Sequence, residues 1–127
     1  MNLRVQSFEE LEVYKHAFVL CRSVFQLSKR FPQEERYALT DQIRRASRSI
    51  GANLAESWAK RRYSAHFLSK LTDADAELQE TKHWVDIVES CNYLDKLESK
   101  ALREQLSLVG RLLGSMVQES DSFCSTV

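Results

Sequence analysis

Pro32 is the only proline among 127 residues, and the chain carries only three glycines. With so little turn-forming material it cannot reverse direction many times, which argues against a many-stranded fold and for a few long helices. The apolar residues agree: they recur at spacings of three and four in blocks separated by short polar breaks. The length suits one domain over 1–127 with a core of its own, needing neither disulfides nor metal staples.

The first block predicts a helix over about 7–31. Ser7 and Glu10 stand at capping-box spacing at its start, and Pro32 blocks its continuation. Two apolar stripes run along it. One is Leu11, Tyr14, Phe18, Cys21 and Phe25; the other is Val13, Ala17, Leu20, Val24, Leu27 and Phe31. At ~100° per residue they lie about a quarter-turn apart, so roughly half the circumference is apolar. A bundle core needs one stripe and leaves the other in want of a partner. We assign Val13, Ala17, Leu20, Val24 and Leu27 to a subunit interface.

The second helix is expected over 37–59, with Leu39, Ile43, Ala46, Ile50 and Leu54 facing the core and the small residues Ala46, Ser47, Gly51, Ala52 and Ala55 permitting close approach of a neighbour. Lys60, Arg61, Arg62 and Tyr63 form a basic connector, with Ser64 as the next N-cap. A third helix over 64–91 buries Phe67, Leu71, Ala74, Leu78, Val85 and Val88. After a turn at Asn92, the capping-box pair Asp95 and Glu98 opens a fourth over 95–119, carried by Leu102, Leu106, Val109, Leu113 and Met116. Residues 120–127 are expected to fray. Such short connections favour an all-α, antiparallel up-down-up-down four-helix bundle.

A polar line crosses the second helix. Gln42, Arg45, Ser49, Asn53 and Glu56 recur at spacings of three and four and share one side. We read them as a structural network in which Arg45 and Glu56 supply opposite charges, the alternative being direct contact with phosphates or bases. Beside them, Arg44, Arg48, Lys60, Arg61 and Arg62 make a basic stretch suited to phosphates, with Tyr63 available for stacking. Residues 36–70 hold eight Lys/Arg against two Asp/Glu, and residues 71–104 hold four against nine. The acidic run Asp73, Asp75, Glu77 and Glu80 therefore offers those arginines a second destination on a neighbouring copy. Because the whole chain is neutral with a pI near 6.8, any nucleic-acid binding is expected to be weak and salt-sensitive.

No nucleophile stands with a base and an orienting acid, and there is no glycine-rich phosphate loop, so no catalytic residue is assigned. Glu80 and His83 have the spacing of a di-iron ligand pair, but a bundle site needs a second such pair; no metal or cofactor is expected. Cys21, Cys91 and Cys124 read as small buried hydrophobes in a reducing, cytoplasmic setting. Gly110 and Gly114, four apart, could admit a close helix neighbour, though local packing explains them equally well. No run approaches the ~18 apolar residues of a membrane span.

The order Leu39-Thr40-Asp41-Gln42-Ile43-Arg44-Arg45-Ala46-Ser47-Arg48-Ser49-Ile50-Gly51-Ala52-Asn53-Leu54-Ala55-Glu56, together with Leu11-Glu12-Val13-Tyr14 and Phe31-Pro32 before it, resembles the bacterial four-helix-bundle family encoded by intervening sequences in large-subunit ribosomal RNA genes. Accessory variability proteins of diversity-generating retroelements are relatives of that family. The stretch from Asp73 to Trp84 looks like one subgroup, whereas Ser57-Trp58 stands where many relatives have a glycine. The resemblance implies a homo-oligomer, typically a pentameric ring, associated with RNA, DNA or a protein that acts on them. The alternative is an oligomeric interaction scaffold without affinity for nucleic acid.

Overall fold

Residues 5–124 are described by a computed structural model, and every regular element among them is a helix. The α-helices are α1 (Glu12–Ser28), α2 (Asp41–Ala59), α3 (Ser64–Ser90), α4 (Lys96–Gln118) and α5 (Ser120–Cys124). Short 3-10 turns at Phe8–Glu10 and Gln33–Glu35 and a π-turn at Arg36–Thr40 fill the approaches to α1 and α2. Among the described residues no helix is long and apolar enough to cross a membrane.

α1 packs on α2 and α4, and α3 packs on the same two helices, so the core lies between four long elements. The apolar positions expected to face inward on α2, α3 and α4 are all buried, from Leu39 through Leu54, Phe67 through Val88 and Leu102 through Met116. Each Val, Leu, Ile, Phe or Met side chain among them contributes about 1.5–3 kcal/mol relative to exposure. Leu11 and Val13 share a hollow with Leu112 and Met116, while Arg30 reaches Glu98 at 2.7 Å. The start of α1 therefore lies by the end of α4, and its end by the start of α4.

Element ends show where local pattern decides the outcome. Asp95 and Glu98 form the expected capping box: the Glu98 N–H donates to Asp95 Oδ1 at 2.8 Å, and the Asp95 N–H to Glu98 Oε1 at 3.0 Å. Just before it, Asn92 sits at φ 62°, which lets its N–H and that of Tyr93 close on the Glu89 and Val88 carbonyls as α3 ends. The Ser7–Glu10 box does not form. Glu10 accepts the Gln6 N–H instead, Leu11 is extended, and the intervening 3-10 turn turns Phe8 edge-on to Tyr14. Ser64 is likewise no cap; the extended Tyr63 takes that position and accepts the Phe67 N–H through its carbonyl.

Three larger expectations are corrected. Val13, Ala17, Leu20 and Val24, assigned above to a subunit interface, are at most 4% exposed, and Leu27 packs against the same core. A side chain held there cannot seal one copy to another while the fold persists. The outward side carries the rest of the other stripe, with Phe18 half-exposed and Tyr14, Cys21 and Phe25 partly so, whereas Leu11 at its head is buried. The tail also folds rather than frays through residue 124: α5 buries Phe123 against Trp58 and Phe67, at ring distances of 6.2 and 6.0 Å. Residues 125–127 of that expectation lie outside the described residues. The cysteines, finally, are not buried hydrophobes: Cys21 and Cys124 are half-buried, and Cys91 is exposed.

Candidate functional site

The α1/α2 face combines aromatic rings with unpaired positive charge. Phe25 points from α1 toward α2, and three cations lie over its ring: Arg44 at 4.7 Å, Lys29 at 4.8 Å and Arg48 at 5.3 Å. Arg44 is held there because its Nε donates to Ser28 Oγ at 2.7 Å. Arg22 stands one helical turn before Phe25 and borders the same face. Among the described residues, none of Arg22, Lys29, Arg44 and Arg48 makes an ion pair. A ring offers each cation about 0.5–1 kcal/mol at such an exposed position. It does not cancel the repulsion between neighbours such as Arg44 and Arg48, four apart on one helix.

Between the two helices lies a slot of about 490 Å³. Tyr14 and Phe18 form one wall and Gly51, Ala52 and Ala55 the floor, with Arg22 and Arg48 at the rim. The floor is low because the residues of α2 that meet α1 are small. Burial pushes the Cys21 thiol up in pKa, with Arg48 and Arg22 pulling it back, and the thiol donates to the Phe18 carbonyl at 3.2 Å.

Farther along α2, Arg44, Arg45 and Arg48 line a shallow groove with Asp41 at its edge. Lys60, Arg61 and Arg62 stand apart, roughly 18 Å of helix rise beyond Arg48. Arg61 folds onto Trp58 at 3.7 Å and donates from Nε to the Trp58 carbonyl at 3.0 Å, closing the end of α2. Lys60 and Arg62 are exposed. The basic stretch read from the sequence thus divides into two separate patches.

The polar line follows the α2/α3 seam, but Arg45 and Glu56 do not close it on each other. Ser49 and Asn53 donate to the carbonyls of Arg45 and Ser49 one turn back, and Arg45 meets Gln42 at 3.4 Å. Glu56 leaves the line and takes Lys70 of α3 at 2.7 Å, which holds its carboxyl below the usual range. Arg45 acts on Glu77 of α3, whose Oε1 is buried without a hydrogen-bond partner. Opposite charges separated along one helix each found the facing helix instead.

Glu80 accepts the Trp84 indole N–H at 3.0 Å, and His83 lies beside that indole. Among the described residues no group of three or more His, Cys, Asp or Glu comes together as a metal site. Arg103 is fully engaged by Asp86 and Glu89. A β-carbon at Gly110 would touch Leu78 at an ordinary 3.5 Å, and one at Gly114 would meet nothing, so this pair marks no close helix contact.

The sequence reading missed Arg22, Phe25 and Lys29 as members of the site. Their spacing, Arg22 three before Phe25 and Lys29 four after it, was a usable signal. It was hidden because the formal charges of residues 1–35 balance.

A protein-family model described as "23S rRNA-intervening sequence protein" matches residues 9–115. Among solved structures, the crystal structure of a protein with unknown function from the S23 ribosomal protein family of Bacteroides thetaiotaomicron VPI-5482 is similar to this chain. The TM-score is 0.74 at 23% identity, covering 84% of this chain and 95% of that one. At that identity the likeness concerns the fold. A comparison with curated proteins found no match.

Proposed function

Because the chain belongs to the 23S rRNA-intervening sequence protein family, we propose that it is a nucleic-acid-binding accessory protein, acting by contact rather than by catalysis. Its four long helices run antiparallel in up-down-up-down order, and copies assemble into a ring-like homo-oligomer. The phosphate-binding surface is the α1/α2 face, centred on Phe25.

The gathering of Arg22, Lys29, Arg44 and Arg48 without an ion pair carries this reading. Like charges held side by side repel one another, and a polyanion that displaces their counterions turns that repulsion into binding. The other cations of the earlier assignment serve less directly: Arg61 is occupied with Trp58, and Lys60 and Arg62 form a second, smaller contact at the far end of α2.

Fluorescence anisotropy with labelled RNA and DNA at low salt tests the proposal. The double variant Arg22→Glu, Arg48→Glu should weaken binding by at least about tenfold, while Arg62→Glu weakens it less than threefold or so. Absence of binding at low salt, or equal effects of the two variants, would overturn it.

A second reading, an interaction scaffold whose charges serve assembly alone, is favoured by the α1/α4 groove. Half-exposed Val19 lies there with Leu27, Ala101 and Leu102 around an apolar hollow of about 490 Å³. Gln105 borders it with a buried Oε1 that has no hydrogen-bond partner among the described residues. A second copy covering this groove would also reach Arg22 and Gln26, which border the α1/α2 slot too, while leaving Phe25, Arg44 and Arg48 open. Light scattering on Val19→Glu then reports the assembly independently of nucleic acid.

A further inference from the structure

We infer that the slot between α1 and α2 receives an unpaired base of a single-stranded nucleic acid, with the neighbouring phosphates held by Arg22 and Arg48. This rests on the nucleic-acid reading above and narrows it to one strand form.

The slot's size, about 490 Å³, falls within the range of pockets that enclose small organic groups. Its chemistry is mixed in a particular way. Phe18 is 48% exposed and only tilted against Tyr14, at 6.2 Å, so part of its ring is open to a stacking partner. Ala52, small and exposed beside Gly51 and Ala55, leaves room for a flat group. Gln26 at the edge carries an amide that both donates and accepts, which suits the edge of a base. Arg22 and Arg48 complete the rim, and no Asp or Glu lines the slot.

A duplex cannot use these features. Its bases are stacked inside and its exterior is phosphate, so the aromatic wall and the amide would go unmatched. A helix from another copy would fill the apolar floor but would have to bring carboxylates to Arg22 and Arg48, and in the acidic run of α3 Asp73 already meets Lys70 and Glu80 the Trp84 indole. An unpaired nucleotide answers both demands together, offering a π-face to Phe18 and an anion to each guanidinium.

Binding of a fluorescein-labelled oligouridylate of roughly a dozen nucleotides is compared with that of an RNA duplex of like length at low salt. Two variants accompany the wild type, Phe18→Ala and Ala52→Leu. Both positions are exposed, so both chains should fold, and a circular dichroism melt confirms it. The wild type should bind the single strand at least about tenfold tighter than the duplex, and each variant should erase that preference while leaving duplex binding unchanged. Equal affinity for the two forms, or variants that keep the preference, would overturn the slot and leave the nucleic-acid reading standing. Failure to bind either form would remove both. A lower subunit number for Ala52→Leu with unaltered single-strand binding would make the slot a contact between copies, and would also overturn the inference.

Discussion

Tyr14 lies so close to Gly51 that a β-carbon there would stand 3.3 Å from Tyr14 Cε1. This contact sets the spacing of α1 and α2, and with it the depth of the slot beside the Phe25 cluster. It also offsets part of the gain of about 1 kcal/mol that alanine would otherwise bring in the middle of a long helix.

Gly51→Ala sets that helix preference against a tight contact. The Tyr14 ring is half-buried and borders the slot, so it can yield a few tenths of an ångström. The expected result in urea denaturation is a change of less than about 1 kcal/mol, in the stabilising direction. Gly51→Leu, which must displace the ring, should cost about 1–3 kcal/mol.

Neighbouring residues on α1 should behave oppositely. Leu20 is fully buried, and Leu20→Ala should cost about 2–5 kcal/mol without changing the subunit number beyond what unfolding causes. Val19 is 49% exposed on the α1/α4 groove, and Val19→Glu should alter stability by less than about 1 kcal/mol while lowering the subunit number. Urea denaturation and light scattering on both variants separate core from interface. The reverse pattern would return the interface to the Leu20 stripe.

Phe123 should matter more than its place near the chain end suggests. It is 6% exposed and packs on Trp58 and Phe67, so Phe123→Ala should cost about 2–4 kcal/mol in urea denaturation. A loss below about 0.5 kcal/mol would mean that α5 contributes nothing to the core.

These positions also show how far the residue pattern alone discloses the fold. The inward faces of α2, α3 and α4 were legible because each carries one apolar stripe, and the Asp95–Glu98 cap because it is local. α1 carries two stripes a quarter-turn apart. Periodicity alone does not say which faces inward, and the interface assignment of Val13, Ala17, Leu20, Val24 and Leu27 fails for that reason. The small residues Gly51, Ala52 and Ala55 decided the matter, since they leave room for Tyr14 and Phe18 on the outer side of the seam. α5 is too short to announce itself by periodicity, and it persists through contacts with distant Trp58 and Phe67. The candidate site was half legible: Arg44 and Arg48 stood out in a basic stretch, whereas Arg22 and Lys29 belong to it through the packing of another helix.

Glu77 gives a pH-dependent test. Burial, with Glu80 adding and Arg45 opposing, raises its carboxyl above the ordinary value. A raised carboxyl is disfavoured when ionised in the folded chain. Stability is therefore unaffected below the ordinary carboxylate range and declines as pH rises from there through the raised value. Glu77→Gln should raise the melting temperature by a few degrees at neutral pH, equivalent to about 1 kcal/mol or less, and by nothing in acid. A gain that is larger in acid than at neutral pH would contradict this account.

The most direct test of the central claim, that Arg22, Lys29, Arg44 and Arg48 form a phosphate-binding face, is the salt dependence of binding to a labelled single-stranded oligonucleotide. With all four cations engaged, the logarithm of the binding constant should fall against the logarithm of salt concentration with a slope of about −3, and Arg48→Glu should make that slope shallower by about 0.7 or more. A slope near zero, or one that Arg48→Glu leaves unchanged, would contradict the claim.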